Sequence, residues 1–405
     1  MVRKVKYFIL IMIVVYSHVL SQSDLQIAGN ISGEGLENVS VRDTESELFI
    51  EFENRVYRFE IDALVRVLKL ISPEIGQYQK INLLIKNKNV PVTQISVSAK
   101  DLLSWNKGEI SNTEFSELIQ IDLDNHFDSW SKAAKSGYQN SSNLRFDIVL
   151  KPTYRFQFGV FSNPVLYQLN FAPHIEFGLW KGMTGLFEVT FPIHNDFTPS
   201  EDSIRASRIV LNQTARLGNS TFISGSIGYF TLNRYGFDLE TRTFFLNGDL
   251  SLGLNLGYTG YAFFAGKKLY YSDLYQWTGS LGIDYRIREY DLSLAVTAGK
   301  FLLFDNTIRF DIYRDFGEIQ VGFFAMRSLE GISNGGFSLS IPLFPSKYWN
   351  PGFFRIRTTE YLDYSYRVKI ADQIGLKYDT GFSLSGFIEK LNPGFIKNYL
   401  GKRLN

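Results

Sequence analysis

The stretch Leu250-Ser251-Leu252-Gly253-Leu254-Asn255-Leu256-Gly257-Tyr258 decides the fold class, because apolar residues alternate in it with small or polar ones. Successive side chains of a β-strand point to opposite faces. The stretch therefore predicts a strand with one apolar face and one small, polar face. The same alternation recurs at 281–288 and 290–299, and again around Ile308, Ile319 and Phe337.

Further candidate strands precede this stretch. They lie at 145–159, 165–180, 184–191, 207–217, 221–231 and 235–246. Short turn signals such as Asn247-Gly248 separate the later strands, and aromatic residues cluster at strand ends. Strands that cross an outer membrane need about 9–11 residues, alternate apolar and polar side chains, and carry aromatic girdles. We predict a mainly β protein dominated by a transmembrane antiparallel β-barrel of about 12 strands. A soluble β-sandwich or propeller is the alternative.

The amino-acid composition argues against several classes of function. The 42 basic and 41 acidic residues nearly cancel, which argues against a general nucleic-acid binder. The absence of cysteine excludes disulfides, thiolate metal sites and cysteine nucleophiles, and the chain has only four histidines. No cofactor is predicted.

The first 21 residues have the pattern of a secretory signal peptide. Arg3, Lys4 and Lys6 precede an apolar run over 7–15, which is shorter than the roughly 20 residues of a membrane-spanning helix. Ser21 provides a small residue at the expected cleavage point. We expect export and cleavage, followed by residence in the outer membrane; an uncleaved anchor is the alternative.

The rest of the chain divides near residue 143. A polar stretch over 136–143 resembles a linker, and the chain after it is richer in glycine and aromatic residues. We predict a small α/β periplasmic domain over 22–143 and a barrel over 144–390. The last strand is expected near 378–388, and residues 391–405 are expected to form a tail, with a short interfacial helix as one possibility.

The small domain has both kinds of periodicity. Alternation over 48–52 and a second run over 56–59 predict a β-hairpin that turns at Asn54. Helical spacing of apolar residues over 61–71, followed by Pro73, predicts a helix that ends there. Two more strands are expected at 81–85 and 90–97, and 113–135 is read as one or two helices. No phosphate-binding glycine loop is present.

Charged residues alternate with apolar ones in three predicted strands. They are Asp238, Glu240 and Arg242; Asp284, Arg286 and Arg288; and Arg309 and Asp311. A charge that faced lipid would cost about 2–4 kcal/mol at the membrane midplane, so we expect these side chains inside the barrel. Paired charges that stiffen a narrow barrel are the favoured interpretation, and a polar path that contacts a glycan is the other.

Histidines provide the only hint of catalysis or metal binding. His174 and His194 have Glu176 and Asp196 nearby, but the spacing fits no known ligand motif. Polar loop or lumen residues are the favoured interpretation. No catalytic, cofactor-binding or metal-binding residues are predicted.

Two parts of the chain resemble a known family. Residues 53–58 read Glu-Asn-Arg-Val-Tyr-Arg and 63–68 read Ala-Leu-Val-Arg-Val-Leu. Residues 314–325 read Arg-Asp-Phe-Gly-Glu-Ile-Gln-Val-Gly-Phe-Phe-Ala, followed by Gly-Gly-Phe at 335–337 and Ser-Ile-Pro-Leu at 340–343. These patterns resemble YjbH-type outer-membrane proteins of exopolysaccharide or capsule gene clusters. Long family members carry more than one barrel and more than one small domain, whereas this chain has room for one of each.

The resemblance implies a role in export or surface assembly of an exopolysaccharide or capsule. The barrel then offers a polar lumen or a docking wall without catalysis, and the partners are a polysaccharide, outer-membrane lipids and periplasmic proteins of an export system. Two other classes remain open. One is a barrel hydrolase that acts on lipid or glycan, and the other is a surface protein that binds glycan or adheres through it.

Overall fold

The computed structural model of the chain describes residues 25–123, 130, 138–160, 163–265, 268–368 and 373–403. The predicted signal peptide, residues 1–21, lies outside the described residues. Among the helices in the described ranges, none is both long and apolar enough to cross a membrane. The strands form two sheets, one of five strands and one that closes on itself.

The first sheet has the order β1-β2-β3-β4-β5. Its strands are β1 Glu37–Asp43, β2 Glu47–Glu53, β3 Lys80–Asn87, β4 Val90–Ser98 and β5 Gln120–Asp122. Strands β2 and β3 pair in parallel, and the other neighbours pair antiparallel. The parallel pair is possible because the connection between its strands contains a helix that crosses over the sheet.

Four helices accompany this sheet: α1 over 25–33, α2 Glu60–Ile71, α3 Ala99–Asn106 and α4 Asn112–Leu118. The predicted helix at 61–71 corresponds to α2, which buries its apolar stripe. The chain continues from α2 into a short 3-10 turn that contains Pro73. The prediction of one or two helices over 113–135 is only partly correct, because the described part of this segment contains the strand β5 after α4.

The predicted hairpin over 48–59 is wrong in its second half. Strand β2 pairs with β1 and β3, and residues 56–59 form no strand. The Asn54 side chain accepts hydrogen bonds from the backbone N–H groups of Val56 and Tyr57, at 3.1 and 2.9 Å. An asparagine that bonds its own backbone in this way turns the chain away from strand pairing. The chain then leaves the sheet, and Tyr57 forms a β-bridge with Lys347.

The second sheet, called the barrel below, contains the remaining strands. They are β6 Phe146–Leu150, β7 Pro152–Val160, β8 Asn163–Phe171, β9 His174–Trp180, β10 Met183–Asn195, β11 Arg205–Leu217, β12 Thr221–Phe230, β13 Arg234–Phe245, β14 Leu250–Ala265, β15 Lys268–Tyr271, β16 Gln276–Ile287, β17 Leu292–Lys300, β18 Asn306–Phe316, β19 Ile319–Ser328, β20 Ser333–Pro342, β21 Phe354–Thr358 and β22 Tyr361–Arg367. The break between the two sheets falls between 122 and 146, around the polar stretch at 136–143. The exact division into domains stays our interpretation.

The barrel closes with an unusual pairing. Strand β21 runs parallel to β6, with Phe354 opposite Phe146 and Thr358 opposite Leu150. Short interruptions divide four wall strands into the segment pairs β6/β7, β8/β9, β15/β16 and β21/β22. When each pair is counted once, the wall has an odd number of strands, which is why its first and last strands meet in parallel. Single-chain bacterial barrels have even numbers. The number of strands in the wall depends on whether each broken strand is counted once or as two segments. The predicted number of about 12 strands therefore stays a prediction.

The barrel places its apolar face outward. Leu252 and Leu256 of β14 are exposed, as are Leu281 and Ile283 of β16, whereas Ser251 lies on the buried inner face. Because the inner row consists largely of small residues and paired polar residues, the alternation seen in the sequence corresponds to an inside and an outside.

The predicted last strand near 378–388 is wrong. Residues 373–391, called the plug segment, are irregular apart from helix α5 Leu384–Ile388 and a 3-10 turn. Tyr378, Thr380, Phe382 and Leu384 alternate like a strand, but the segment lies inside the barrel beside β11 and β13, which are already paired on both edges. Gly381 adopts a positive φ of +85° at the place where the segment turns.

The predicted tail at 391–405 contains helix α6 Pro393–Arg403. This helix packs on the small domain and does not lie at an exposed interface. The Phe395 and Tyr399 rings lie with their centroids 5.8 and 6.1 Å from that of Phe59. Leu400 is fully buried. The apolar residues of α6 therefore complete the core of the small domain.

Candidate functional site: a filled barrel lumen

The predicted lumen charges lie on the inner face, and most are paired along the wall. Arg242 donates a hydrogen bond to Asp284 across strands at 2.6 Å, and Arg309 donates to Asp311 at 2.6 and 2.8 Å. Arg286 donates to Asp315 at 3.0 Å. Pairing cancels most of the charge, as the favoured interpretation of the sequence expects. Arg288 is also paired, since it donates to Asp249, but it lies at a turn between strands and not on the inner face of the wall.

The two remaining acids bind the plug segment. The Tyr378 hydroxyl donates to Asp238 Oδ2 at 2.8 Å, and its ring stacks on Phe230 at a centroid distance of 5.2 Å. The backbone N–H of Leu384 donates to Glu240 Oε2 at 2.9 Å. The wall thus offers acceptors at the places where the plug segment needs them.

The plug segment runs through the lumen from one end of the barrel to the other. At its start, the Gly375 N–H donates to Asp305, in the turn between β17 and β18. Further along, Arg208 of β11 donates to Asp379 at 2.9 Å. At its end, Thr93 of the small domain donates to the carbonyl of Leu391. The end of the barrel that faces the small domain is called the near end, and the other is the far end.

The near end is closed by apolar packing. Phe222 and Phe244, on the inner face of β12 and β13, belong to the same buried cluster as the core of the small domain. Phe387 of the plug segment lies against Phe222, with ring centroids 6.2 Å apart. Small domain, plug segment and barrel therefore share one core at this end.

A cavity of about 410 Å³ remains between the plug segment and one side of the wall. This volume is within the usual range of small-molecule pockets, about 300–1,000 Å³. Donors and acceptors of both charges line it, together with aromatic rings; they include Arg242, Asp284, Asp311, Tyr313, Gln320 and Asn392. The balance of charge suits a neutral, hydroxyl-rich ligand better than a strongly charged one.

The two sequence motifs meet at the near end. Arg58 donates to Glu318 Oε2 at 2.8 Å and to the carbonyl of Leu343. Arg55 donates to Asp147 of the first wall strand at 2.8 Å. Residues 53–58 therefore join the small domain to the barrel. Sequence reasoning recognised the motif but missed this role, because the partners lie far apart in the chain.

A buried ion network continues this junction. Asp147 is 1% exposed and accepts from Arg355 Nε at 2.6 Å and from Arg357 Nε at 3.2 Å. Arg355 also contacts Glu37 of β1, which is fully buried and accepts from Arg145 at 3.1 Å. Loss of one member of such a buried network costs about 3–5 kcal/mol, because its partners keep uncompensated charges.

The two candidate histidines lie in separate surroundings. His174 is buried, with Nε2 3.2 Å from Glu176 and Nδ1 3.6 Å from Glu188. His194 stacks on Tyr167 at a centroid distance of 4.1 Å and lies 2.9 Å from Asp196. Within the described ranges, no group of three or more histidine and acidic side chains is arranged to hold a metal ion.

Comparison with known proteins identifies the family. The family model described as exopolysaccharide biosynthesis protein YbjH, named YjbH, matches residues 18–344. No curated protein matches the chain. A solved structure of OmpTdeltaL8, a loop L8 deletion mutant of the outer membrane protein OmpT of Vibrio cholerae, matches with a TM-score of 0.30 and 8% identity. That match covers 55% of this chain and 93% of the other. Because the family model spans most of the chain, the protein belongs to the YjbH family of exopolysaccharide biosynthesis proteins.

Proposed function

We propose that this protein is an outer-membrane β-barrel that takes part in the export or surface assembly of an exopolysaccharide or capsule, without catalysing a reaction itself. The observation that carries the proposal is the inverted barrel, with apolar side chains outside and paired polar ones inside. Leu281, for example, is 65% exposed. In water, such an apolar surface would be an aggregation liability, whereas in a membrane it contacts lipid.

The proposal places the small domain and the near end in the periplasm. The buried cluster and the ion network there fix the orientation of the small domain relative to the barrel. The small domain is then the part of the chain that contacts periplasmic proteins of an export system.

The filled lumen favours an accessory role over that of an open pore. The plug segment binds Asp238, Glu240 and Arg208 along its course. A polysaccharide could cross such a lumen only if these contacts were broken. We therefore infer that the protein docks or guides the glycan while another component conducts it.

The surroundings of His174, among the residues that the structure describes, support a non-enzymatic role. Ser207 donates to Glu188 at 2.8 Å, and the carboxylate in turn lies beside His174. In a Ser-His-acid triad the serine bonds the imidazole, which acts as its base, whereas here the serine bonds the carboxylate.

Deletion of the gene tests the proposal. We expect the deletion strain to lose surface polysaccharide, and the wild-type protein to restore it. A variant that carries both His174→Ala and His194→Ala should restore it as well, provided that the variant reaches the membrane. Unchanged surface polysaccharide in the deletion strain would refute the export role. Failure of a well-assembled double variant would favour the hydrolase.

A further inference from the structure

The barrel wall has a seam between its first and last strands. Strand β21 pairs with β6 near the small domain, but beyond this pairing the strands continue as β22 and β7. Strand β22 pairs with β20, and β7 pairs with β8. Within the described residues, no backbone pairing joins β7 to β22. The interruption at 151 in one strand and at 359–360 in the other marks the point where the strands separate.

Aromatic rings cover the seam on its outer side. Tyr364 stacks on Tyr154 with ring centroids 5.9 Å apart and meets Phe156 edge-on at 6.3 Å. Tyr366 lies 6.2 Å from Phe158. Phe156 and Phe158 remain partly exposed. Ring contacts therefore bridge a gap that hydrogen bonds close elsewhere in the wall.

Polar side chains line the inner side of the seam. Arg155 alternates with the rings of β7, and Asp363 and Ser365 alternate with those of β22. All three side chains are exposed. Arg155 donates to Glu201 at 3.1 Å, and Asp363 accepts from the Ser340 hydroxyl at 2.6 Å. The seam thus presents rings, unpaired strand edges and polar groups side by side.

A hydroxyl-rich ligand matches these groups. Backbone N–H and C=O groups without partners are costly in a membrane wall, at several kcal/mol each. A sugar chain offers C–H faces that lie flat on aromatic rings, and hydroxyls that both donate to carbonyls and accept from N–H groups. A lipid tail could cover the rings, but it would leave the strand edges without hydrogen bonds.

We propose that the seam between β7 and β22 is a binding groove for an extended segment of the exopolysaccharide. The glycan lies in the gap between the two strands, on the lumen side of the rings. Its hydroxyls bond the free strand edges and the inner polar side chains Arg155 and Asp363, and the C–H faces of its sugars pack against Tyr154 and Tyr364, which shield it from lipid. This inference rests on the proposed function and specifies its surface. It locates glycan recognition in the wall and leaves the lumen filled.

A reducible cross-link across the seam tests this proposal, since the chain contains no cysteine of its own. In the variant with Phe156→Cys and Tyr364→Cys, called the seam lock, a short bis-methanethiosulfonate joins the two thiols, because a direct disulfide needs Cα atoms within about 7 Å and these positions meet only through their rings. The matched control, Val296→Cys with Phe310→Cys, links register partners of β17 and β18. The same reagent is applied to the control. We expect the seam lock to reduce surface polysaccharide to the level of the deletion strain and a reductant to restore it. The control should keep full polysaccharide in both conditions.

The outcomes separate the two proposals. A well-assembled seam lock with normal polysaccharide, in a strain whose deletion abolishes it, would overturn the groove and leave the export role standing. Unchanged polysaccharide in the deletion strain would overturn the export role itself. Disulfide-linked dimers of the single variant Tyr364→Cys would indicate that a second copy of the chain, and not the glycan, occupies the seam.

A binding measurement keeps the test decisive if the locked variant assembles poorly. Tyr364→Ala removes one ring without a cross-link. Purified Tyr364→Ala should sediment with polysaccharide from the same strain much less than the wild-type protein does. The control Phe237→Ala removes an exposed outer ring from β13, several strands away from the seam in the order of the wall, and should bind as the wild-type protein does. Equal binding by both variants would contradict the groove.

Discussion

The two sheets of this protein use the same alternation of side chains in opposite ways. In the small domain, Ile50 and Leu83 point into a dry core and are fully buried. In the barrel, Leu252 and Leu281 point outward and are exposed, while Ser251 and Asp238 lie inside. Alternation alone therefore predicts a strand but leaves open whether its apolar face packs in a core or points out of the sheet. In the barrel, the side chains that alternate with the apolar ones are small or polar and paired, and this indicates that they face the lumen.

The largest expected effect is in the core of the small domain. Leu64→Ala should cost about 2–5 kcal/mol, because it opens a cavity among fully buried neighbours. Hydrogen exchange of the β2 and β3 amides measures this loss. The control Leu118→Ala changes a residue that is 45% exposed and should change stability by about 0.5 kcal/mol or less. Equal losses in both variants would mean that α2 does not pack as described.

A charge on the outer face of the barrel sharpens the comparison. Leu256→Arg should cost about 2–4 kcal/mol if the site lies near the membrane midplane. Its neighbour Asn255 points inward and donates to Asp238 at 3.0 Å, so Asn255→Arg places its charge beside a carboxylate and should cost less. Denaturant titration of folding in lipid vesicles measures both. A larger loss for Asn255→Arg would reverse our assignment of inside and outside.

The plug segment provides a test within the lumen. A Cβ atom at Gly257 would lie 1.9 Å from the Tyr378 hydroxyl, whereas one at Gly225 meets nothing within 4 Å. Overpacking of this kind costs about 1–3 kcal/mol, so Gly257→Ala should displace the plug segment and Gly225→Ala should not. Entry of a small antibiotic through the outer membrane of cells reports the difference. Equal entry in both variants would contradict a lumen filled by this segment.

The smallest effect concerns pH at the junction. Burial alone would raise the pKa of Glu34, but hydrogen bonds from Lys347, Tyr57 and Arg66 lower the pKa from its ordinary value of 4.5 to about 2. The carboxylate therefore stabilises the junction fully above pH 4.5, and this stabilisation is lost as the pH falls through about 2.

Pepsin cleavage near Lys347, followed from pH 5 to pH 2, measures this loss. Cleavage of the wild-type protein should increase as the pH falls, after correction for the activity of pepsin. Glu34→Gln lacks the charge and should show a smaller change over the same range. Identical pH profiles of the two proteins would show that the Glu34 carboxylate does not stabilise the junction.

Much of the barrel could be predicted because strict alternation and short turns are local signals. The stretch 250–258 corresponds to the first part of β14, and 290–299 to most of β17. The plug segment could not be predicted, since its alternation imitates a strand and only the closed wall excludes it from the sheet. The contact of Arg58 with Glu318 spans 260 positions in sequence, and no local pattern contains such a partner.

Fractionation followed by a heat-modifiability gel tests the central claim most directly. The protein is extracted from membranes and run with and without boiling. We predict that it resides in the outer membrane and that the unboiled form migrates differently, since a barrel wall held by backbone pairing on all sides but the seam resists the detergent at room temperature. A protein that is recovered in the soluble periplasmic fraction and migrates identically in both lanes would contradict the membrane barrel, and with it the physical basis of the export role.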